Sequence, residues 1–331
     1  MIKDVMKVAS LIRINFPRAK LNESLANKTT FGVGGKTLAY LHVRTPEELW
    51  GAVSLARKRK IPYQIIAGGS NVVFADETYR GLVIVFRNPK KLHHTCQCQD
   101  LTLTCEASLP LAELIKCAIK NNLAGLESLS GIPGTVGGAI VGNAGAYGQS
   151  ISDKLVAVEV FDGKKVRWLD KKACRFAYRD SIFKHNDWIV LHAKFKLEKG
   201  EQKALAKKSR EIIKIRNKKY PPGLKCPGSF FKNVLVKDAA RAALAKIDQV
   251  RIINGKIPAG YLLSEVGARG MREGGIYVAD FHGNLLINNG RGTCAEVKKL
   301  AAKLKRKVYN KFKIRLEEEV RFIDNKKKIK Q

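Results

Sequence analysis

The chain has 331 residues, enough to bury a substantial core and to divide into two or three domains. Its apolar content of 45% excludes wholesale disorder. A formal net charge of +33 points to anionic partners: nucleic acid, an acidic surface or anionic small molecules. Basic residues are scattered along the whole length, denser only in ARKRK (56–60) and NKKKIKQ (325–331), and no zinc-finger or RRM signature accompanies them. A solvated basic surface is therefore preferred to dedicated nucleic-acid recognition. The N-terminus, with Lys3, Asp4, Lys7 and Arg13 and no long apolar run between them, does not read as a signal peptide. Cysteines without paired CxxC spacing fit a reducing cytoplasm better than a disulfide framework.

In chain order, PEELWGAVSLARKRK (46–60) places Leu49, Val53 and Ala56 at helical spacing, with acids first and bases last, as the helix dipole favours. IPYQIIAGGSN (61–71) gives a short strand, Ile65 to Ala67, running into a glycine turn. GLVIVF (81–86) is a second strand and LTLTCEA (101–107) alternates like a third. LAELIKCAIKNN (111–122) is an amphipathic helix with Leu111, Leu114, Ile115, Ala118 and Ile119 on one face. Residues 128–152, SLSGIPGTVGGAIVGNAGAYGQSIS, then carry no charged side chain. Their length would allow a membrane span. However, Pro133 and the glycines from Gly131 to Gly148 weaken a helix, and irregular backbone in lipid leaves its polar groups unsatisfied. The spacing predicts tight turns, where a missing Cβ lets a ligand approach the main chain.

Strands follow at LVAVEVF (155–161) and WIVLHAKFKL (188–197), then a basic helix over 201–218. The break at Pro221, Pro222 and Gly223 marks a domain boundary. A smaller α/β unit ends in a helix over 294–311 and a strand, IRLEEEVRFI (314–323). Alternation puts Ile314, Leu316, Glu318, Val320 and Phe322 on one strand face. Glu318 is the odd member of that face, so either the face is open there or the strand bulges.

Several motifs fail on inspection. GVGGKT (32–37) lacks the first P-loop glycine, since Thr30 stands there, and no G-x-G-x-x-G occupies a strand–turn–helix setting. HHTCQC (93–98) offers His93, His94, Cys96 and Cys98, but the spacing matches no usual structural zinc pattern; a loop entering an edge strand is preferred. No HEXXH, GxSxG or Ser–His–Asp grouping supports a hydrolase. AGGSN (67–71) is more informative: successive amides in such a turn make an anion-binding nest, and Ser70 and Asn71 can add donors. Paired with GIPGTVGG (131–138), it points to a shared phosphate-bearing ligand. In FAYRDSIFK (176–184), Arg179 has the planar fork that suits a carboxylate, although a surface salt bridge to Asp180 is the simpler reading. In PGSFFKN (227–233), Ser229 follows a turn and would ordinarily be a turn or cap residue.

Taken together, TTFGVGG (29–35), AGGSN (67–71), GLESLSGIPGTVGGAIVGNAGAYG (125–148), YRDSIFK (178–184), GSFFKN (228–233), IPAGYLL (257–263) and LEEEVRF (316–322) resemble the UDP-N-acetylenolpyruvoylglucosamine reductase family, in the family's order and across most of the chain. The GG of TTFGVGG and the modest C-terminal length look like the family's shorter subtype. The resemblance implies an α+β fold. Two FAD-binding subdomains of the vanillyl-alcohol-oxidase (PCMH) type would be joined by a C-terminal α/β substrate-binding domain. The implied boundaries are an extension over 1–20, FAD-binding over 21–218 with a split near 86, substrate-binding over 219–313, a returning strand over 314–324 and a basic tail over 325–331.

The resemblance further implies non-covalent FAD, NADPH as hydride donor and UDP-N-acetylglucosamine enolpyruvate as substrate, in a cytoplasmic monomer with no metal, membrane or dedicated nucleic-acid partner. FAD would be wrapped by Gly68, Gly69, Ser70, Asn71, Gly131, Ile132, Gly134, Thr135, Gly137, Gly138, Asn143 and Gly145 through main-chain amides. Arg179 would clamp and polarise the substrate carboxylate. Glu319, the second glutamate of the family's Leu-Glu-x-Glu-Val pattern, would cooperate in its protonated form, and Ser229 would protonate the carbanion. Glu318 stands where the family often has proline. Tyr178, Lys219, Asn233 and Tyr261 resemble substrate-contacting positions. The alternatives are another FAD-dependent oxidase of the same fold, or a basic nucleic-acid-binding protein on a degenerate fold.

Overall fold

A computed structural model of the chain describes residues 2–87 and 96–325. His93 and His94 of HHTCQC and most of the basic tail lie outside the described residues. The chain forms two compact units. The first comprises Met1–Asn22, Leu38–Gly68 and Arg80–Lys219; the second comprises Glu23–Thr37, Gly69–Tyr79 and Tyr220–Gln331.

Most of the first unit's sequence patterns become the elements they predict. The helix Pro46–Lys58 starts at Thr45, whose side chain accepts from the Glu48 amide, and it buries Leu49, Ala52, Val53 and Ala56. A four-stranded sheet, with most of its residues in this unit, runs in the order Lys20–Ser24, Lys36–Val43, Tyr79–Phe86, Tyr63–Ile66. A five-stranded antiparallel sheet runs Val166–Asp170, Leu155–Phe161, Ile189–Lys196, Thr102–Glu106, Cys96–Gln99. Cys96–Gln99 is thus an edge strand. The helix Leu111–Lys120 buries Leu111, Leu114, Ile115 and Ala118 in the same core as Leu103, Val158, Val160 and Phe195. Each leucine, isoleucine, valine or phenylalanine side chain so removed from water contributes about 1.5–3 kcal/mol.

Two readings need correction here. The glycine-rich stretch is not turns alone: Val136–Gly142 is a short helix that buries Val136, Ala139 and Ile140. Glycine lowers helix propensity, but at Gly137 the backbone comes so close to Ala107 that a Cβ would stand 2.9 Å from the alanine methyl. Packing therefore overrides propensity. The N-terminal helix Ile2–Asn15 and the strand Lys36–Val43 also form where no element was predicted.

In the second unit the helix Cys294–Phe312 buries Val297, Leu300, Ala301, Leu304, Val308 and Phe312. Its core includes Phe31, Val73, Phe230, Phe231 and Leu262. A three-stranded antiparallel sheet is ordered Arg272–Glu273, Ile276–Val278, Leu286–Asn288. The continuous strand expected over 314–323 is instead short, Arg321–Ile323, and pairs in parallel with Val72–Phe74. Before it, Glu318 makes a single bridge to Phe231. Ile314, Leu316 and Val320 are buried as alternation predicts. Glu318 is half-buried, and Lys305 Nζ holds its carboxylate at 2.9 and 3.0 Å. Among the described residues no helix is long and apolar enough to cross a membrane.

Candidate active site

The two glycine motifs that sequence pairs also meet in the first unit. A Cβ on Gly68 would lie 3.5 Å from the Gly134 Cα, and one on Gly138 would lie 3.5 Å from the Ala67 Cβ. The start of AGGSN therefore abuts GIPGTVGG main chain to main chain. Gly131 and Gly134 have φ of 76° and 115°, which side chains rarely adopt. Thr135 caps the short helix by accepting from Gly138 N at 3.3 Å, while Gly134 O accepts from Leu111 N at 3.0 Å.

Not every amide in this loop faces a ligand. Ile132 N donates to Leu129 O at 3.1 Å and Gly137 N to Ala107 O at 2.9 Å. Gly138 N likewise donates to Thr135 Oγ1, and Asn143 N to Ile140 O at 3.1 Å. At those four positions the expectation of amide donors is corrected, because the N–H groups already close the loop on its own scaffold. Asn143 is left-handed at φ 43° and buried; its Nδ2 donates to Ala177 O at 2.7 Å. Its Oδ1 is buried with no hydrogen-bond partner among the described residues. Such an orphaned acceptor costs about 1–3 kcal/mol unless a donor arrives.

Arg179 lies beside this loop in the same unit. It is half-buried and left-handed at φ 54°, and its Nη2 donates to Gly145 O at 2.6 Å. The guanidinium carbon stands 5.3 Å from the Tyr178 ring centroid, and Lys184 Nζ donates to the Arg179 carbonyl at 2.6 Å. Asp180 pairs with His185 Nε2 at 2.8 Å. The guanidinium is thus aimed at the glycine loop and held from beneath by an aromatic face. Lys219 is the exposed last residue of the helix Gln202–Lys219.

The rest of AGGSN belongs to the second unit. Gly69 has φ 65° and its carbonyl accepts from Thr30 N at 3.1 Å, with the half-buried Ser70 following. Asn71 is tied to the C-terminal strand: its Nδ2 donates to Glu319 O at 3.1 Å and its carbonyl accepts from Arg321 N at 3.1 Å. Glu319 N in turn donates to Phe230 O at 2.8 Å, next to Ser229. Backbone bonds therefore bring Asn71, Glu319 and the Ser229 segment together. Ser229 Oγ shares a 2.7 Å hydrogen bond with Tyr220 Oη. Burial pushes the Arg321 guanidinium below its ordinary pKa.

Sequence reasoning missed Tyr220 and Asn284. The Asn284 side chain is buried, accepts from Phe231 N and donates to Phe231 O, both at 2.8 Å, like a missing strand partner for GSFFK. Neither carries a local signal, because each partner is fixed only by folding. Asn233 and Tyr261 engage elsewhere in the unit: Asn233 Oδ1 accepts from Ala259 N at 3.1 Å, and Tyr261 Oη accepts from Asp248 N at 3.5 Å. Among the described residues no group of three or more His, Cys, Asp or Glu is placed to hold a metal.

Residues 37–166 match the family model of an FAD binding domain, and residues 220–323 match that of the UDP-N-acetylenolpyruvoylglucosamine reductase C-terminal domain. The enzyme of that name from Solibacter usitatus is 42% identical over 296 residues, 89% of this chain and 93% of the relative. The chain belongs to the UDP-N-acetylenolpyruvoylglucosamine reductase family. The reductase of Syntrophus aciditrophicus is 32% identical over 304 residues, 91% of each chain. The solved reductase (MurB) of Thermus caldophilus superposes with a TM-score of 0.69 at 30% identity, covering 92% of this chain and 98% of that one.

The residues present fit the cofactor of this reductase family. FAD carries N–H groups and ribityl and ribose hydroxyls, the donors that the buried Asn143 Oδ1 lacks.

Proposed function

We propose that this chain reduces UDP-N-acetylenolpyruvoylglucosamine to UDP-N-acetylmuramate in peptidoglycan precursor synthesis, in the cytoplasm, with non-covalent FAD and with NADPH as hydride donor. The observation that carries this reading is the pair of matches, an FAD binding domain followed by the reductase's own C-terminal domain, in one chain. The chemistry FAD supplies when bound is a hydride relay from NADPH to the enolpyruvyl double bond. Charge then develops on the carbon beside the substrate carboxylate, and this chain's residues must stabilise it and deliver a proton.

Arg179 meets the carboxylate, its planar fork matching two oxygens better than an ammonium would. Glu319 cooperates in polarising that group. Ser229 gives the proton, and the Tyr220 hydroxyl 2.7 Å away is placed to hold the serine rotamer and to resupply it. Lys219 and Tyr178 contribute charge and an aromatic face to the substrate; Asn233 and Tyr261 shape the segments around it. Gly68, Gly69, Ser70, Asn71, Gly131, Gly134, Thr135 and Gly145 hold FAD, as does Asn143 through its side-chain oxygen, while Gly138 packs the loop against Ala67. Ile132 and Gly137 set the shape of that loop. Domain limits of 21–218 for FAD, 219–313 for substrate and 314–324 for the returning segment go with these roles.

Half-reactions measured separately test the assignment. Ser229→Ala should leave reduction by NADPH intact and slow reoxidation by the enolpyruvyl substrate by about 10²–10⁴-fold, the usual worth of general acid catalysis. Equal slowing of both halves would remove Ser229 from the proton-transfer step. Reoxidation of the wild type by oxygen but not by the enolpyruvyl substrate would make the chain an oxidase.

A further inference from the structure

Two thiols that the reductase chemistry does not use lie against each other in the first unit. Cys96 opens the edge strand Cys96–Gln99, and Cys117 sits in the helix Leu111–Lys120. Both are part-exposed, and the Cys96 thiol donates to the Cys117 sulfur at 2.9 Å. Disulfide sulfurs stand about 2.05 Å apart, so closure asks less than an ångström of sulfur movement. We propose that Cys96 and Cys117 form a peroxide-sensitive dithiol, a modification site that closes to a disulfide independently of the flavin chemistry.

The roles within the pair are unequal. Cys117 is held down to about 7, first by the hydrogen bond from Cys96, then by Asn121 and the charge of Lys120. The same bond and burial push Cys96 well above the thiol range. Cys117 Sγ accepts from Cys96 and from Asn121 Nδ2 at 3.7 Å, contacts that favour its thiolate, so it takes the attacking role and Cys96 the resolving one. The other nearby thiols are poorly suited. Cys105 lies opposite Cys96 in the strand register but is 2% exposed, and burial raises it far above neutrality. Cys98 is exposed, with its sulfur 3.7 Å from Asp100 O, and desolvation raises it as well.

The step balances with hydrogen peroxide as the oxidant. The Cys117 thiolate attacks one peroxide oxygen, the O–O bond breaks, and the departing oxygen leaves as water after taking up a proton, giving a sulfenic acid. The Cys96 sulfur then attacks the Cys117 sulfur, the S–O bond breaks, and the hydroxide leaves as a second water carrying the Cys96 proton. Two thiols lose two electrons in total, and one peroxide becomes two waters.

Reduced full-length protein treated with hydrogen peroxide, alkylated and mapped by mass spectrometry tests this. The expected product is one linked peptide pair joining Cys96 to Cys117, reopened by dithiothreitol. Cys96→Ser should arrest Cys117 as a sulfenic acid trapped by dimedone, and Cys98→Ser should leave the linkage unchanged. A Cys98–Cys117 linkage, a wild-type Cys117 that stops at the sulfenic acid, or no oxidation at either position would each overturn the proposal. The wild-type map decides even if a variant fails to fold.

Discussion

At Gly69 a single methyl group is enough to disturb the nest. The residue is left-handed at φ 65°, and a Cβ there would overlap the Lys28 carbonyl oxygen, which belongs to backbone and cannot swing away. Gly69→Ala combines a left-handed penalty of about 1–2 kcal/mol with that overlap. It is expected to lower the melting temperature and the flavin bound per chain, read from absorbance. Gly142→Ala is the control, since a Cβ there meets nothing within 4 Å and alanine favours the helix Val136–Gly142; flavin content should be unchanged and the melting temperature should not fall. Full flavin content in Gly69→Ala would take this turn out of the cofactor site. At Asn284 the effect is different in kind. Asn284→Ala orphans the Phe231 N–H and C=O, which are buried, at about 1–3 kcal/mol for each group. Denaturant titration should show that loss, and turnover should fall with it because Ser229 is two residues away. A loss under 1 kcal/mol would mean that water replaces the amide.

Among the elements, the helix Cys294–Phe312 shows what sequence could and could not reveal. Its body is readable from helical spacing, and Thr293 and Glu296 form a reciprocal capping box at its start. A further cap comes from Asp76, which accepts from Cys294 N at 2.7 Å and Ala295 N at 2.9 Å; a partner 218 positions away in sequence leaves no local trace. Asp76→Ala should cost about 1–2 kcal/mol, the worth of a side-chain cap with its charge on the helix dipole. Asp76→Asn should recover part of it, and equal losses for both variants would mean that the charge carries the effect. The same distinction explains the other outcomes. The strand Leu155–Phe161 emerged with its expected boundaries, and the helices Pro46–Lys58 and Leu111–Lys120 end two residues short of theirs, because their signal is periodic and local. Val136–Gly142 did not, because glycine is a poor helix former and only the close approach to Ala107 makes it the right residue. The strand over 314–323 was overextended because alternation persists in its burial while its hydrogen bonds do not. Of the residues proposed for catalysis, Arg179, Ser229 and Glu319 stood out through motif resemblance. Tyr220 and Asn284 could not, since what marks them is a partner.

For the molecule as a whole, charge is the feature that neither the fold nor the proposed chemistry requires. Against 62 basic side chains there are 29 acidic ones, so a formal excess of +33 remains however the surface pairs them. Anionic FAD, NADPH and a UDP-sugar would benefit from a positive field, but a few charges suffice for steering. The excess acts as self-repulsion that the folded state concentrates and the unfolded chain dilutes. Added salt should therefore stabilise this protein. Raising sodium chloride from low to physiological levels shortens the screening length from about 30 Å to about 8 Å, which removes repulsion between distant bases first. It also weakens exposed ion pairs such as Arg18–Glu48, but each of those is worth only about 0–1 kcal/mol. Every 1 kcal/mol of repulsion relieved raises the melting temperature by about 1–2 °C in a chain of this length, because the entropy of unfolding grows with the number of residues. Thermal unfolding of the same flavin-loaded sample across a chloride series should thus climb and then level off, and a sulfate series should climb further because that anion also strengthens burial. A melting temperature that falls with chloride would mean that local ion pairs, not net charge, set the electrostatic balance of this fold.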